Sequence, residues 1–309
     1  MKVLVITNMY PTESRPIFGP FIKDQVESLR AAGVEVDVLF VDGSTGKLNY
    51  LRGVMDMRRM LHKSRYDVVH AHYVYSGWVA RMQRSVPVVV SSHGSDTLGS
   101  QGWLLRRLHP IVDAVTITSR QNQNRVGLPN TSILACGVDV AKFCPMDRAE
   151  ARARLGWAPD RRTMLYVGVD VPLKRLDVIR QAYAVVSGHR SDVDLVTAVG
   201  VSREHIPLHM NAADVLVLAS DTEGAPVVIR EAAACNLPIV SVDVGDVAEF
   251  IEGMTNCHIC ERTPESMAET VRMVLEAGGR SNGREFLDRF SLEGTAQKLI
   301  AIYESVLAK

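Results

Sequence analysis

No uninterrupted apolar run in these 309 residues approaches the roughly 18–20 that a membrane-crossing helix requires. The opening "MKVLVITNMYPTES" holds an apolar run of only about five residues, with no small-residue cleavage site behind it. It reads as a first β-strand rather than a secretory signal, so the expected location is the cytoplasm. Cysteine is sparse and odd in number: Cys136, Cys144, Cys235, Cys257 and Cys260. Such a set argues against a disulfide framework. Cys257 and Cys260 form a lone C-x-x-C, but a structural zinc needs four ligands and no second pair stands at matching spacing. Buried thiols are the expected outcome. Aromatic residues make up only 6% of the chain and no basic stripe is interleaved with them, which disfavours nucleic acid as a partner. Walker A is missing. So is a G-x-G-x-x-G after the first strand, where "TNMYPTESRPIFGPF" offers only Gly19. Dinucleotide chemistry becomes a minor alternative.

What is present is an ordinary globular composition, 47% hydrophobic and 23% charged, in a chain long enough for two domains of about 150 residues. Net charge is zero, but residues 1–150 carry 18 Lys and Arg against 13 Asp and Glu, and the remainder carries 17 against 22. Part of the positive excess sits in "MRRMLHKSR", Met57 to Arg65, with apolar residues interleaved. A solvated helix face is the plain reading. Contact with an anionic membrane surface, at its inner face, or with an acidic acceptor is the sharper one.

Short apolar runs alternate with helical periods throughout. Val3–Ile6, Val34–Val41, Val68–Ala71, Val86–Ser91 and Ala114–Thr118 read as strands in the first half. Thr163–Val167, Asp194–Val199, Val215–Leu218, Ile239–Val242 and Cys257–Cys260 repeat the scheme in the second. "FIKDQVESLRAAG" is helix-like, with Phe21, Val26, Leu29 and Ala32 on one face and Gly33 at its end. Strands apolar on both faces predict parallel sheets covered by helices on either side. The expected fold class is therefore α/β, with two Rossmann-like doubly wound domains, 1–150 and 151–309, facing one another across a ligand cleft. A charged, proline-containing segment from "GVDVAKFCP" to "APDRRT" reads as the crossing linker with a lead-in helix. The last segment, 292–309, is a helix long enough to pack back on the first domain.

The most informative stretch is "EGAPVVIREAAACNLPIV", Glu223 to Val240. "AADVLVLAS" before it is a buried strand, which places Glu223 in the loop at a strand's carboxyl end. Pro226 suits the first helical position, and Asn236 suits a left-handed cap before Pro238. Glu231 then lies about 7–8 Å along the helix from Pro226. Between the two carboxylates lie the unpaired N–H groups of a first helical turn, which favour an anion and above all a phosphate. Carboxylates repel phosphate, so these two address neutral hydroxyls on either side of it. A sugar–diphosphate–ribose ligand has that layout; two solvated glutamates are the plain alternative.

Other strand ends add to it. Lys174 and Arg175 follow a strand and glycine turn and suit a diphosphate leaving group, although such a pair is often merely solvated. His93, Gly94 and Asp96 follow a strand in the opposite half, where a structural histidine is the plain reading. His70 and His72 form "HAH" with no third metal ligand evident. Asp192 and Asp194 form a D-x-D that opens a strand without a loop to hold an ion. No metal and no cofactor are expected.

These blocks together resemble a GT-B retaining glycosyltransferase of family 4, the glycosyltransferase group 1 domain. The resemblance covers nearly the whole chain, through "MKVLVITNMYP", "DVVHAHYVYSG", "SSHGSD", "GVDVAKFCP", "LYVGVDVPLKRLD", "MNAADVLVLASDTEGAP" and "FSLEGTAQKLIAIYESVL". The E-x7-E of Glu223 and Glu231 is its most specific element. The resemblance implies a metal-independent transferase moving a hexosyl or N-acetylhexosaminyl group, with retention, from a UDP- or GDP-sugar to a glycan, glycolipid or other hydroxyl acceptor. Polysaccharide or glycolipid assembly is the usual setting. His93, Lys174 and Glu223 would be catalytic. Gly19, Arg175, Gly224, Val227, Val228 and Glu231 would bind donor, Glu231 at the ribose diol and the Val227 and Val228 amides at phosphate. The chain departs from the family at Val169 and Cys136, where arginine and asparagine are common. It also lacks a G-x-G-P turn after Val199 and is shorter than typical members. A weakly active or non-catalytic nucleotide-sugar binding protein, or an epimerase on the same plan, is the alternative that these departures raise.

Overall fold

A computed structural model describes residues 1–15 and 18–309. The chain divides into two units: Met1–Gly137 together with Leu292–Lys309, and Val138–Ser291. The division therefore falls after Gly137 and not at 150. The reason is local: the segment following Gly137 is tied into the second unit, where the Val138 N–H donates to the Phe290 carbonyl at 2.9 Å.

The first unit runs β1 (Lys2–Thr7), α1 (Pro20–Ala31), β2 (Glu35–Phe40), α2 (Leu48–Lys63), β3 (Val68–His72), α3 (Val74–Arg81), β4 (Val88–Ser92), α4 (Gly99–Leu108), β5 (Ala114–Ile117), α5 (Arg120–Val126) and β6 (Ser132–Ile133). Its sheet has the order β2-β1-β3-β4-β5-β6, with every pairing parallel. Alternation along β1 shows why the strands read as continuously apolar. Leu4 and Ile6 enter a core shared with Met57, Leu105 and Leu108 from the helices on one face. Val3 and Val5 enter another with Val26 and Leu29 of α1. Both faces are covered, so no polar residue is needed at alternate positions.

The second unit runs α6 (Arg148–Leu155), β7 (Arg162–Val167), α7 (Leu176–His189), β8 (Val193–Ala198), α8 (Ile206–Ala212), β9 (Val215–Leu218), α9 (Val227–Ala234), β10 (Ile239–Val242), α10 (Val247–Ile251), β11 (Cys257–Cys260) and α11 (Pro264–Ala277). Its sheet is β11-β10-β9-β7-β8, again all parallel. The last helix, α12 (Leu292–Leu307), belongs to the first unit, where Ala296, Leu299 and Tyr303 share the core of Val3 and Val5. Two-residue β6 had no signal in the sequence. Cys257 and Cys260 are buried free thiols, and burial pushes Cys260 up to about 11.

In each sheet the strand order reverses once, between β1 and β3 and between β7 and β9. There the neighbouring crossovers leave towards opposite faces and open a crevice at the strands' carboxyl ends. The two crevices hold the residues that follow.

Candidate active site

In the second unit, the crevice lies between the loop after β7 and the loop after β9. Glu223 is held in the latter, largely buried. Its Oε1 accepts from Lys174 Nζ at 2.6 Å, a pair formed across 49 residues of chain. Lys174 ends a short turn, Pro172–Lys174, and Arg175 behind it adopts φ 49° as it opens α7. The Arg175 guanidinium is bound to Asp177 at 3.1 Å and Asp221 at 3.3 Å. The two cations expected to act together thus divide: Lys174 faces Glu223, and Arg175 braces the two loops. Arg262 anchors the β9 loop from the far side, donating to the carbonyls of Ala219 and Ser220 at 3.2 and 3.0 Å.

Pro226 is not the first helical residue. Its ψ of 115° is extended, so it is the N-cap, and α9 opens at Val227. The amides of Val227 and Val228 therefore head the helix, with no carbonyl one turn earlier to receive them. Gly224 is packed against Gly245 of the loop after β10. A Cβ built on Gly245, at φ +66°, would meet the Gly224 carbonyl oxygen at 2.6 Å. Only a glycine allows that contact.

Glu231 is buried on α9, where it meets Arg203 at 3.3 Å. Arg203 escaped the sequence reading. Its only signal was a lone arginine in "GVSREHIPLHM", in the loop beyond the carboxyl end of β8. The helix carrying Glu231 is firmly set. Arg280 and Arg284 donate to the carbonyls of Cys235 and Ala234 at its end, at 2.8 and 3.0 Å, complementing the helix dipole. Arg230, fully buried, pairs with Asp246 between the rings of Phe250 and Phe290. Asn236 takes the left-handed conformation expected of it, with φ 52°. Tyr166 lies beneath this crevice; burial, with Asp170 and Glu223 adding, pushes its hydroxyl up to about 12. It donates to the Val169 carbonyl at 2.7 Å.

In the first unit, the crevice gathers the loops after β1, β3 and β4. Gly19 opens α1 at φ 72°, and a Cβ there would meet Met9 Cβ at 2.9 Å, so its lack of a side chain lets the two ends of the loop after β1 approach. Three histidines line up at the strand ends. His70 Nε2 is 2.8 Å from Ser91 Oγ, and its Nδ1 is 2.7 Å from the Tyr303 hydroxyl of α12. His72 Nδ1 is 2.8 Å from His93 Nε2. Burial lowers all three, His70 and His93 to about 3 and His72 well below its ordinary value. All are neutral at physiological pH, so one proton lies between His72 and His93. His72 Nε2 is buried without a hydrogen-bond partner among the described residues. An orphaned acceptor costs less than an orphaned N–H. His72 therefore donates from Nδ1, and His93 carries its proton on Nδ1, the side facing Cys136 Sγ at 3.8 Å. Asp96 fixes the backbone here, accepting from Ser92 Oγ and from the His93 N–H at 2.7 and 3.0 Å. Neither Asp192 nor Asp194 is placed for an ion: Arg190 binds the first and Arg161 the second.

Two family models cover most of the chain. Residues 3–127 match the glycosyl transferase 4-like domain, and residues 157–277 match glycosyl transferases group 1. Among curated relatives, a D-inositol 3-phosphate glycosyltransferase of Mycolicibacterium gilvum is 27% identical, over 84% of this chain and 70% of its own length. The putative teichuronic acid biosynthesis glycosyltransferase TuaC of Bacillus subtilis is 24% identical over 88% of each. Among solved structures, the sucrose-phosphate synthase of Thermosynechococcus elongatus superposes with a TM-score of 0.82 over the full length of both chains at 19% identity. Anabaena HepE in complex with UDP superposes with 0.77, at 17% identity, over 99% of this chain and all of that one. At such identities these two superpositions establish the GT-B architecture.

Proposed function

Since the chain belongs to the group 1 glycosyltransferases, we propose that it moves a sugar, with retention, from a nucleoside diphosphate sugar to a hydroxyl acceptor. The observation that carries this reading is the bracketing of the α9 N-terminus by two carboxylates, largely buried Glu223 and buried Glu231, with Lys174 already at the first. A diphosphate fits the first turn, where amides and helix dipole favour an anion. Glu231 then receives the ribose diol and Glu223 the hydroxyls of the sugar. The bond that breaks joins the anomeric carbon to the phosphate oxygen, and charge grows on that oxygen. Lys174 and the Val227 and Val228 amides stabilise it, and in such chemistry this stabilisation supplies most of the rate enhancement. The acceptor attacks from the face that the diphosphate leaves, and the departing phosphate oxygen takes the acceptor's proton. No side chain becomes covalently bound and no metal is required. UDP is the first donor nucleotide to test, because HepE was solved with UDP and with UDP-glucose; GDP is the second. His93, neutral and protonated on Nδ1, serves as a hydrogen-bond donor in the first unit and not as a base.

Calorimetry with UDP and GDP tests the ribose role. Glu231→Ala is expected to weaken the preferred nucleotide by about 1.5–3 kcal/mol, the range for a hydrogen bond to a charged group. Unchanged affinity would remove Glu231 from the site. Product analysis with donor alone separates transfer from epimerisation, since an epimerase turns over without an acceptor.

A further inference from the structure

The outward face of α2 carries apolar and basic side chains in one stripe. Leu48, Leu51, Arg52, Met55, Arg59 and Lys63 recur at helical spacing along it. Leu48 is 71% exposed, Leu51 63% and Met55 51%, while Met57 on the opposite face is fully buried against the sheet. The only acid of the helix, Asp56, is taken up by Arg59 at 2.9 Å. The stripe continues over the neighbouring helices. Arg58 reaches from α2 to the Met82 carbonyl at the end of α3, at 3.1 Å, beside a Met82 side chain that is 54% exposed. On α4, Trp103 is half exposed, with the Arg107 guanidinium over its ring at 4.8 Å. Residues 47–112 hold ten Lys and Arg against three Asp and Glu, one of which, Asp96, is buried. In a molecule of zero net charge this layer is strongly cationic.

We propose that this face of α2, α3 and α4 docks on an anionic lipid bilayer. Cations interleaved with exposed leucine, methionine and tryptophan suit a headgroup region, where charges meet phosphates while apolar tips sink below them. Nucleic acid would leave Leu48, Leu51 and Met55 without a counterpart. The orientation that follows is useful to a transferase. The N-terminal end of α2, which carries Leu48 and Leu51, sits at the carboxyl edge of the sheet: Tyr50 is reached by Asn8 of the loop after β1, at 3.3 Å. Docking on that end brings the first unit's crevice to the bilayer and assigns the acceptor hydroxyl to a lipid-borne molecule. This last step rests on the transferase reading; the docking does not.

Flotation of the full chain with vesicles of phosphatidylcholine, alone or mixed with phosphatidylglycerol, tests the docking. The protein is expected to float with the mixed vesicles at low salt and not with phosphatidylcholine alone. Arg52→Gln with Lys63→Gln lowers partitioning on the order of 20-fold, from the loss of two surface cations. Leu51→Gln with Met55→Gln lowers it on the order of tenfold, and its residual binding is the more salt-sensitive. A protein that stays behind at low salt, or two double variants that float like the parent, would overturn the proposal. So would equal retention on heparin with no effect of Leu51 and Met55, which would make the face a polyanion site. A UDP thermal shift run on the same samples keeps the two readings apart: its loss in the parent protein strikes the donor site and leaves the docking result intact.

Discussion

At the scale of single residues, the second unit's crevice is built on pairs that are remote in sequence. Lys174 lies 2.6 Å from Glu223, so the cation that would meet the leaving group is set by the carboxylate that would hold the sugar. A donor entering between them would meet a cation and a carboxylate that already neutralise each other. Lys174→Ala is expected to lower turnover by about two to three orders of magnitude, the loss typical of one donor to a developing oxyanion, with a smaller change in KM. Steady-state kinetics in the presence of EDTA measures this directly and tests metal independence in the same assay; unchanged kcat would take Lys174 out of the chemistry. Neither this pair nor that of Glu231 with Arg203 was legible in the sequence. Periodicity shows which residues lie at strand ends, but it does not show which two ends converge.

At the scale of elements, α9 acts as a rigid bracket. Its carboxyl end is held by Arg280 and Arg284, its middle by buried Arg230, and its approach loop by the contact of Gly224 with Gly245. Gly245→Ala would both strain a left-handed backbone and push on a carbonyl. A loss of about 2 kcal/mol or more in stability is expected, with weaker nucleotide binding as the loop bearing Glu223 shifts. Gly253→Ala is the control. It has φ +84° but meets nothing closer than the Phe286 ring at 3.7 Å, so it should lose stability while keeping affinity. Urea midpoints and calorimetry on both variants decide it, and equal affinity in the two would show that the Gly224–Gly245 contact does not position the loop. The elements themselves were largely readable, because strands buried on both faces leave long apolar runs. The misreading at Pro226 was of one dihedral. Proline sets φ near −65° in a cap and in a first helical residue alike, and only ψ separates the two.

At the scale of the whole molecule, burial of three histidines in the first unit links stability to pH. Their folded values lie far below 6.5, so an unfolded chain takes up protons that the folded one refuses as pH falls through that range. Asp96 opposes this, since burial raises its carboxyl to about 6 and the folded state protonates it first. Three groups against one leave a net of about two protons, or a loss of ~2–3 kcal/mol per pH unit below about 6. Above about 7 the contribution of these groups no longer changes with pH. Thermal unfolding scans from neutral to mildly acid pH are expected to show Tm falling on the acid side; a flat profile there would mean that the histidines are not buried in neutral form.

The amino-acid order by itself determined the alternation of strand and helix, the parallel sheets, and the placing of Glu223 and Glu231 about a helix start, because each depends on spacing within one or two elements. The tertiary structure decided the rest. It moved the boundary to Gly137, after which the chain is bonded to Phe290 and to Arg284 of the second unit. It joined Lys174 to Glu223 and Arg203 to Glu231, and lined up His70, His72 and His93. It also turned a basic stretch into one stripe with Leu48, Leu51 and Met55. Those outcomes depend on which loops meet at the reversal of strand order, and that follows from how sheets and helices pack, not from any local run of residues.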